Sequence, residues 1–279
     1  MQTRQNEGFL AKIFNWKLFA YMFLTAAAGV SLFPFLWMII SSTKSTVDII
    51  SGSMWVGDKL IFNLQQLYTM GFYKTLYNSM VITLFGGILS ILTTSLAGYG
   101  FAKFPSRGKN QLYSAFLFSM MIPFSALMIP LFKLIIKIKL LNSLSAVILL
   151  ASANVFMLFF FRQNFIGFPK EIIEAARIDG VGEFNIYLKV VVPSMKTTFA
   201  AAVIWTAMTQ WNSFIWPLIA LQSQSKQTIT VAISAMGSAY YVEYGPLMCA
   251  VVIAVLPLMI VFFSLQKHFV SGIIGASKG

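Results

Sequence analysis

Charge is what this sequence has least of: Asp, Glu, Lys and Arg make up 10% of its 279 residues, against about 25% in soluble domains. A water-facing surface needs charge for solvation. The shortage runs along the whole chain, so lipid must replace water over much of it. Acidic residues number eight against 20 basic ones, for a formal net charge of +12. In a soluble chain that excess points to nucleic acid, but no charged domain presents a basic face, so a nucleic-acid partner is excluded. In a membrane chain, excess Lys and Arg encode topology. Cys249 stands alone in an apolar run, which excludes an intrachain disulfide and a CxxC metal site. Its expected role is that of a small packing residue. The only histidine, His268, lies near the end of an apolar run without a nucleophile–base pair, which argues against an enzyme. A GxxxxGK[ST] phosphate loop is also missing. Lys109 follows Gly108, but position 103 is Lys and Asn110 stands where Ser or Thr is needed. The chain has no ATP-hydrolysing motor of its own.

What the sequence has is apolar length. Six runs, near 17–41, 79–102, 112–131, 144–161, 197–221 and 246–266, are long enough to cross about 30 Å of hydrocarbon. None holds an interior Asp, Glu, Lys or Arg. Backbone groups in lipid must pair internally, so these are helices. The fold class is all-α, a polytopic membrane protein with six transmembrane helices. With the N-terminus inside, thirteen Lys and Arg fall in inner segments and seven in outer ones, a bias that places both termini in the cytoplasm. Lys133, Lys137 and Lys139 count against it. Residues 1–16 form a cytoplasmic segment without a clear cleavage site, so the first run is read as a retained span. Residues 17–266 form the six-span domain, including a long inner loop at 162–196, and 267–279 a cytoplasmic tail. Pro123, Pro130, Pro217 and Pro257 lie in or near spans and invite kinks, as hinges or as static bends.

One polar island interrupts this pattern. Glu171, Glu174, Asp179 and Glu183, four of the eight acids, sit within thirteen positions of the inner loop. The sequence there is FPKEIIEAARIDGVGEFNIYLKVVVPS, residues 168–194. Pro169 starts a short helix and Gly180 stops it. Ile172, Ile173 and Ala176 fall on one side. A second short helix is expected from Glu183 to about Val192, ended by Pro193. The pattern fits an amphipathic helix lying on headgroups as well as one that docks on another protein.

Glu174-Ala175-Ala176, Asp179-Gly180 and Pro193 resemble the EAA loop of the membrane subunits of binding-protein-dependent ABC importers. The resemblance extends to Asn78-Ser79, Met121-Ile122-Pro123, Ile129-Pro130-Leu131-Phe132, Trp211-Asn212 and Trp216-Pro217. It also covers the tail from Gln266 to Gly272 and from Gly275 to Gly279. From about residue 78 onward the chain is similar to the maltose-permease G-type subunit of carbohydrate importers. Val181, Ser194 and Ser277 depart from the family's usual residues without touching the central Glu or Gly.

The resemblance implies the ABC importer type I permease fold and a bacterial inner-membrane location. It implies a second permease subunit, an ATP-binding cassette ATPase dimer that binds ATP-Mg, and an extracytoplasmic sugar-binding protein as partners. It implies that Glu174 anchors a coupling helix on the ATPase. Ala175 and Ala176 permit close approach, and Asp179-Gly180 forms the turn between two short helices. Lys278-Gly279 resembles the segment that reaches toward the ATPase.

A neutral polyol needs hydroxyl, amide and aromatic partners. Thr206, Thr209, Gln210, Trp211, Asn212 and Ser213 cluster in the fifth run and are candidates for the substrate path. Polar side chains also hold membrane helices together. The outer segments 42–77 and 222–245, with Tyr240, Tyr241 and Tyr244, are candidate docking surfaces for the binding protein. The alternative is an ion-coupled secondary transporter. The lack of an ionisable residue at membrane depth opposes proton coupling, though carbonyls and hydroxyls suffice for sodium.

Overall fold

The computed structural model describes the backbone of residues 2–276 and the side chains of residues 16–266. Every regular element among them is helical. In chain order these are α1 (Gln2–Ser42), α2 (Thr46–Ile50), α3 (Leu60–Thr69), α4 (Phe72–Lys103), α5 (Lys109–Ser119), α6 (Phe124–Lys137), α7 (Leu144–Ala151), α8 (Val155–Ile166) and α9 (Lys170–Ile178). They continue as α10 (Glu183–Ser194), α11 (Lys196–Trp211), α12 (Ile215–Ala220), α13 (Ile229–Gly237) and α14 (Tyr244–Ala276). Four stretches are long and apolar enough to cross a membrane as they stand: Trp16–Ser42, Phe72–Lys103, Leu144–Ile166 and Tyr244–Gln266. The number rises to six if each of two bent helix pairs is one span.

Those pairs are where the structure refines the sequence. The third run is broken: α5 and α6 meet at 101°. Pro123 has no N–H to donate back into α5 and sits with φ −63° and ψ 139° at the start of α6. The fifth run does not continue to residue 221. Its helix, α11, ends at Trp211, and α10 precedes it at 84°. Asn212–Phe214 then break the chain before α12, where Pro217 again lacks a donor. The fourth run has a milder break at Ser152–Asn154, and Asn154 caps α8 by accepting from the Met157 N–H at 3.0 Å. The second run starts earlier than expected, at Phe72.

The chain divides into two compact units. The first holds residues up to Leu67 and Tyr240–Val252. Its polar knot closes the end of α1. Asn63 donates to the carbonyls of Ser42 and Lys44, each at 2.9 Å. The Cys249 thiol donates to the Ser42 carbonyl at 3.2 Å, so this buried cysteine caps a helix as well as packing. A Cβ on Gly245 would stand 2.6 Å from the Lys44 carbonyl, so only glycine fits there. Lys44 is buried with its amine 4.9 Å over the Trp37 ring and bonded to the Ser53 carbonyl.

The second unit holds Tyr68–Ala239 and the chain from Ile253. Its axis is α4, which buries small residues: Gly86, Gly87, Ser90, Thr94, Ser95 and Gly98. Small side chains let membrane helices approach closely. A Cβ on Gly98 would lie 2.9 Å from the Phe161 Cβ and 3.0 Å from the Arg162 nitrogen, so α8 packs directly on that surface. One apolar cluster gathers Tyr99, Met157, Phe161, Phe165, Ile173, Ile186 and Tyr187. A second gathers Ile82, Ile135, Val147, Trp216 and Leu221.

Candidate functional site

Two sites emerge from the second unit. The first is the loop built from α9 and α10. At 100° per residue, Ile173 and Ala176 share one side of α9, and both pack into the first apolar cluster. Ile173 is 2% exposed. Glu171, Glu174, Ala175 and Ile178 share the opposite side and are exposed. Ile178 is 87% exposed and the nearby Phe184 64%. Ala176 therefore faces the bundle while Ala175 faces outward. Ile172, expected on the inner stripe, is exposed on the flank.

Gly180 ends α9 with φ +74°, a left-handed conformation that disfavours any Cβ. Its N–H donates to the Arg177 carbonyl at 3.0 Å, and the Val181 N–H donates to the Ala176 carbonyl at 3.0 Å. This is a Schellman closure, with Val181 and Ala176 as its apolar contact against the cluster. Asp179 is the exposed residue just before the turn, and its N–H donates to the Ala175 carbonyl at 3.1 Å. Past the turn, Glu183 Oε1 accepts from Arg177 Nε at 2.5 Å, tying α10 back to α9. This bond raises the Arg177 pKa above its ordinary value. Tyr187 Oη lies 2.6 Å from Ser95 Oγ of α4. Lys103 donates to the Phe168 carbonyl at 2.6 Å. A turn of π-helix over Tyr187–Val191 precedes Pro193, whose missing N–H cannot serve an ordinary helical bond. The second helix therefore runs two residues beyond the expected Val192, to Ser194.

The second site is a groove of about 890 Å³ where three helix breaks come together. It is lined by the α5–α6 break, by Ala153 and Asn154 between α7 and α8, and by Asn212–Phe214 between α11 and α12. Backbone carbonyls at such breaks need partners inside a membrane. Thr93 donates to the Ser152 carbonyl at 2.9 Å and Thr230 to the Ser213 carbonyl at 2.8 Å. Of the expected path residues, Thr209, Gln210, Asn212 and Ser213 line this groove together. Trp211 does not. Its indole turns to another face and donates to the Ala254 carbonyl at 3.0 Å, and Thr206 lines an apolar hollow beside it. Asn154 is a groove residue that the sequence reading missed, as Thr209, Gln210, Asn212 and Ser213, with which it shares the groove, lie more than fifty residues away.

The expected coupling residues and groove residues thus form two separate sets. The outer segments hold an exposed Tyr240 and Tyr241 and a half-buried Tyr244. The tail residues Lys278 and Gly279 lie outside the described residues. No group of His, Cys, Asp and Glu among the described residues is placed to hold a metal ion.

Residues 86–275 match the family described as binding-protein-dependent transport system inner membrane component, so the chain belongs to that family, which comprises membrane subunits of ABC importers. It is 42% identical to the lactose transport system permease protein LacG of Rhizobium radiobacter, over 92% of this chain and 95% of that one. It is 33% identical to the arabinooligosaccharides transport system permease protein AraQ of Bacillus subtilis, over 92% and 94%. Among solved structures, a chain from a bacterial ABC transporter involved in the import of the acidic polysaccharide alginate superposes with TM-score 0.79. It shares 22% identity over 91% of this chain and 96% of that one, a likeness of fold. The protein is therefore a multi-pass permease subunit of an ATP-driven importer. Nothing supports a secondary carrier.

Proposed function

We propose that this chain is one of two permease subunits of a bacterial sugar importer, and that the α9–α10 loop is its coupling element. The relatives named for lactose and arabinooligosaccharide transport support a saccharide cargo. The observation that carries the coupling role is the two-sided packing of α9. Its inner side is locked into the bundle core, while Ile178 and Phe184 stay exposed with Glu174 and Ala175. A helix resting on headgroups needs no such lock. A lever needs one, since a push on its outer side must reach α4 and α8 without being absorbed.

In this reading Glu174 anchors the loop on the ATPase, which binds ATP-Mg, and Ala175 permits close approach. Gly180 sets the angle between the two short helices, and Asp179 stands at the exposed edge of that turn. Ala176 contributes from the inside, as packing. The loop lies in the cytoplasm with both termini, and the inner domain boundaries 162–196 and 267–279 follow from this topology. An extracytoplasmic sugar-binding protein delivers cargo to the outer segments. The groove lined by Thr209, Gln210, Asn212 and Ser213 is this subunit's share of the path.

Glu174→Lys and Gly180→Asp test the coupling role in the complex reconstituted in liposomes. Both are expected to abolish uptake driven by ATP while leaving the bundle inserted. Normal uptake by both variants rejects the role.

A further inference from the structure

The groove carries a feature that the path reading does not require. No charged residue lines it. Its polar groups are not equally engaged. Thr209 donates to the Trp205 carbonyl at 2.9 Å, and the Asn212 nitrogen donates to the Met208 carbonyl at 2.8 Å. Asn154 spends its oxygen on the Met157 N–H. That leaves the nitrogen of Asn154, the oxygen of Asn212 and the whole amide of Gln210 without a hydrogen-bond partner among the described residues.

Gly86 leaves room for the Gln210 amide. A Cβ there would stand 3.7 Å from Gln210 Oε1 and 3.3 Å from the Ala151 Cβ. The free groups thus offer both donors and acceptors with no formal charge. Flanking them are aromatic surfaces, including Phe124 edge-to-face with Trp216 at 6.4 Å. Hydroxyls, which donate and accept, match such a set, and aromatic faces suit the apolar faces of a sugar ring. A carboxylate would leave water for a site with no cation to receive it, a costly transfer.

We propose that Gln210, with Asn154 and Asn212, forms a hydroxyl-reading subsite that passes neutral saccharides and disfavours anionic ones. Gln210 is its specificity-determining residue. This rests on the importer reading above and adds a charge preference located in this subunit.

The test uses a Ser213→Cys variant of this chain in the whole complex in liposomes, which puts a thiol in the groove lining beside an intact Gln210, with modification read on this chain, whose own cysteine, Cys249, is buried. Two thiol reagents are compared, a glucosyl methanethiosulfonate and a sulfonatoethyl methanethiosulfonate. The neutral glucosyl reagent is expected to react at least about tenfold faster than the anionic one after correction for their rates with a free thiol, the ratio that one uncharged hydrogen bond supplies. Equal corrected rates overturn the charge preference. No reaction with either reagent overturns the subsite, because the groove is then closed to water. In parallel, Gln210→Leu is expected to lower lactose uptake about tenfold with subunit assembly unchanged. Undiminished uptake overturns the role of Gln210. Should the unaltered complex take up neither lactose nor an arabinooligosaccharide, the cargo reading fails, while the labelling ratio still decides the charge preference.

Discussion

The α9–α10 loop and the three-break groove handle polar groups in opposite ways. In the loop, much of the polar chemistry is spent on holding shape: Arg177 on Glu183, Tyr187 on Ser95, Lys103 on Phe168, and the Gly180 turn on its own backbone. What it leaves outward is chiefly Glu174, Ala175, Ile178 and Phe184. In the groove the backbone is satisfied by Thr93 and Thr230, and side-chain amides are left over. Under the roles we propose, a lever and a passage, the difference teaches where each site meets its partner. A lever presents a firm surface to another protein, so its interior must be closed. A passage presents hydrogen-bond capacity to a solute, so its interior must stay open.

The comparison breaks most visibly at Ile173. Ile173→Ala removes a side chain that is 2% exposed, from the side of α9 that locks into the bundle. A buried truncation of this kind costs about 2–5 kcal/mol. Because the cost falls on a short helix, the expected result is local release. Protease cleavage within 167–194 rises and ATP-driven uptake falls, while the spans remain inserted. Ile178→Ala sharpens the contrast. At 87% exposure it should change stability by no more than about 0.5 kcal/mol, so under the proposed coupling role any fall in uptake reports a lost contact with the ATPase. Protease resistance measured on both variants checks the pair, and equal cleavage would remove the distinction between inner and outer sides.

A smaller effect is expected at Asn154, which belongs to the groove and to local structure at once. Asn154→Ala loses the cap on α8, worth about 1 kcal/mol, and also the free amide nitrogen. Asn154→Ser keeps a capping oxygen and removes only the amide. If the groove reads hydroxyls, both variants lose uptake, but only the alanine variant shows faster amide hydrogen exchange in the first turn of α8. Full uptake with serine would reduce Asn154 to a cap.

These two regions were unequally legible. The six runs could be found because span length is a one-dimensional property, and Pro123 announced a bend. Its size could not be read, because 101° depends on what α6 packs against. The turn at Gly180 was legible because a Schellman closure is local and Gly is its signature. The two sides of α9 were only partly so. The apolar stripe was visible, but Ile172 was assigned inward and Ile178 was overlooked, since apolar character alone does not say whether a side chain meets its own fold or another protein. The cluster at 206–213 was recognised as polar, yet the opposite facing of Trp211 and the arrival of Asn154 depend on helix rotation and on contacts across more than fifty residues. No local pattern encodes either.

The smallest effect is expected at the Arg177–Glu183 pair. Both side chains are 41% exposed, so water and salt screen the attraction, and such pairs contribute about 0–1 kcal/mol. The hydrogen bond from Arg177 to Glu183 raises the arginine pKa. A cation with a raised folded pKa gives stability that is fully present below its unfolded pKa and is lost only above it, and an arginine's lies far above neutral pH. Arg177 therefore adds no pH dependence between about pH 6 and pH 9. Glu183→Gln keeps the shape and one acceptor oxygen while removing the charge. Uptake by this variant should fall by no more than about fivefold, the equivalent of 1 kcal/mol, and the loss should shrink as salt is raised for both proteins, because salt weakens the pair only in the unaltered chain. A large loss that is independent of salt would mean that Glu183 meets the ATPase directly, and would move it from the shape-holding groups to the outward surface.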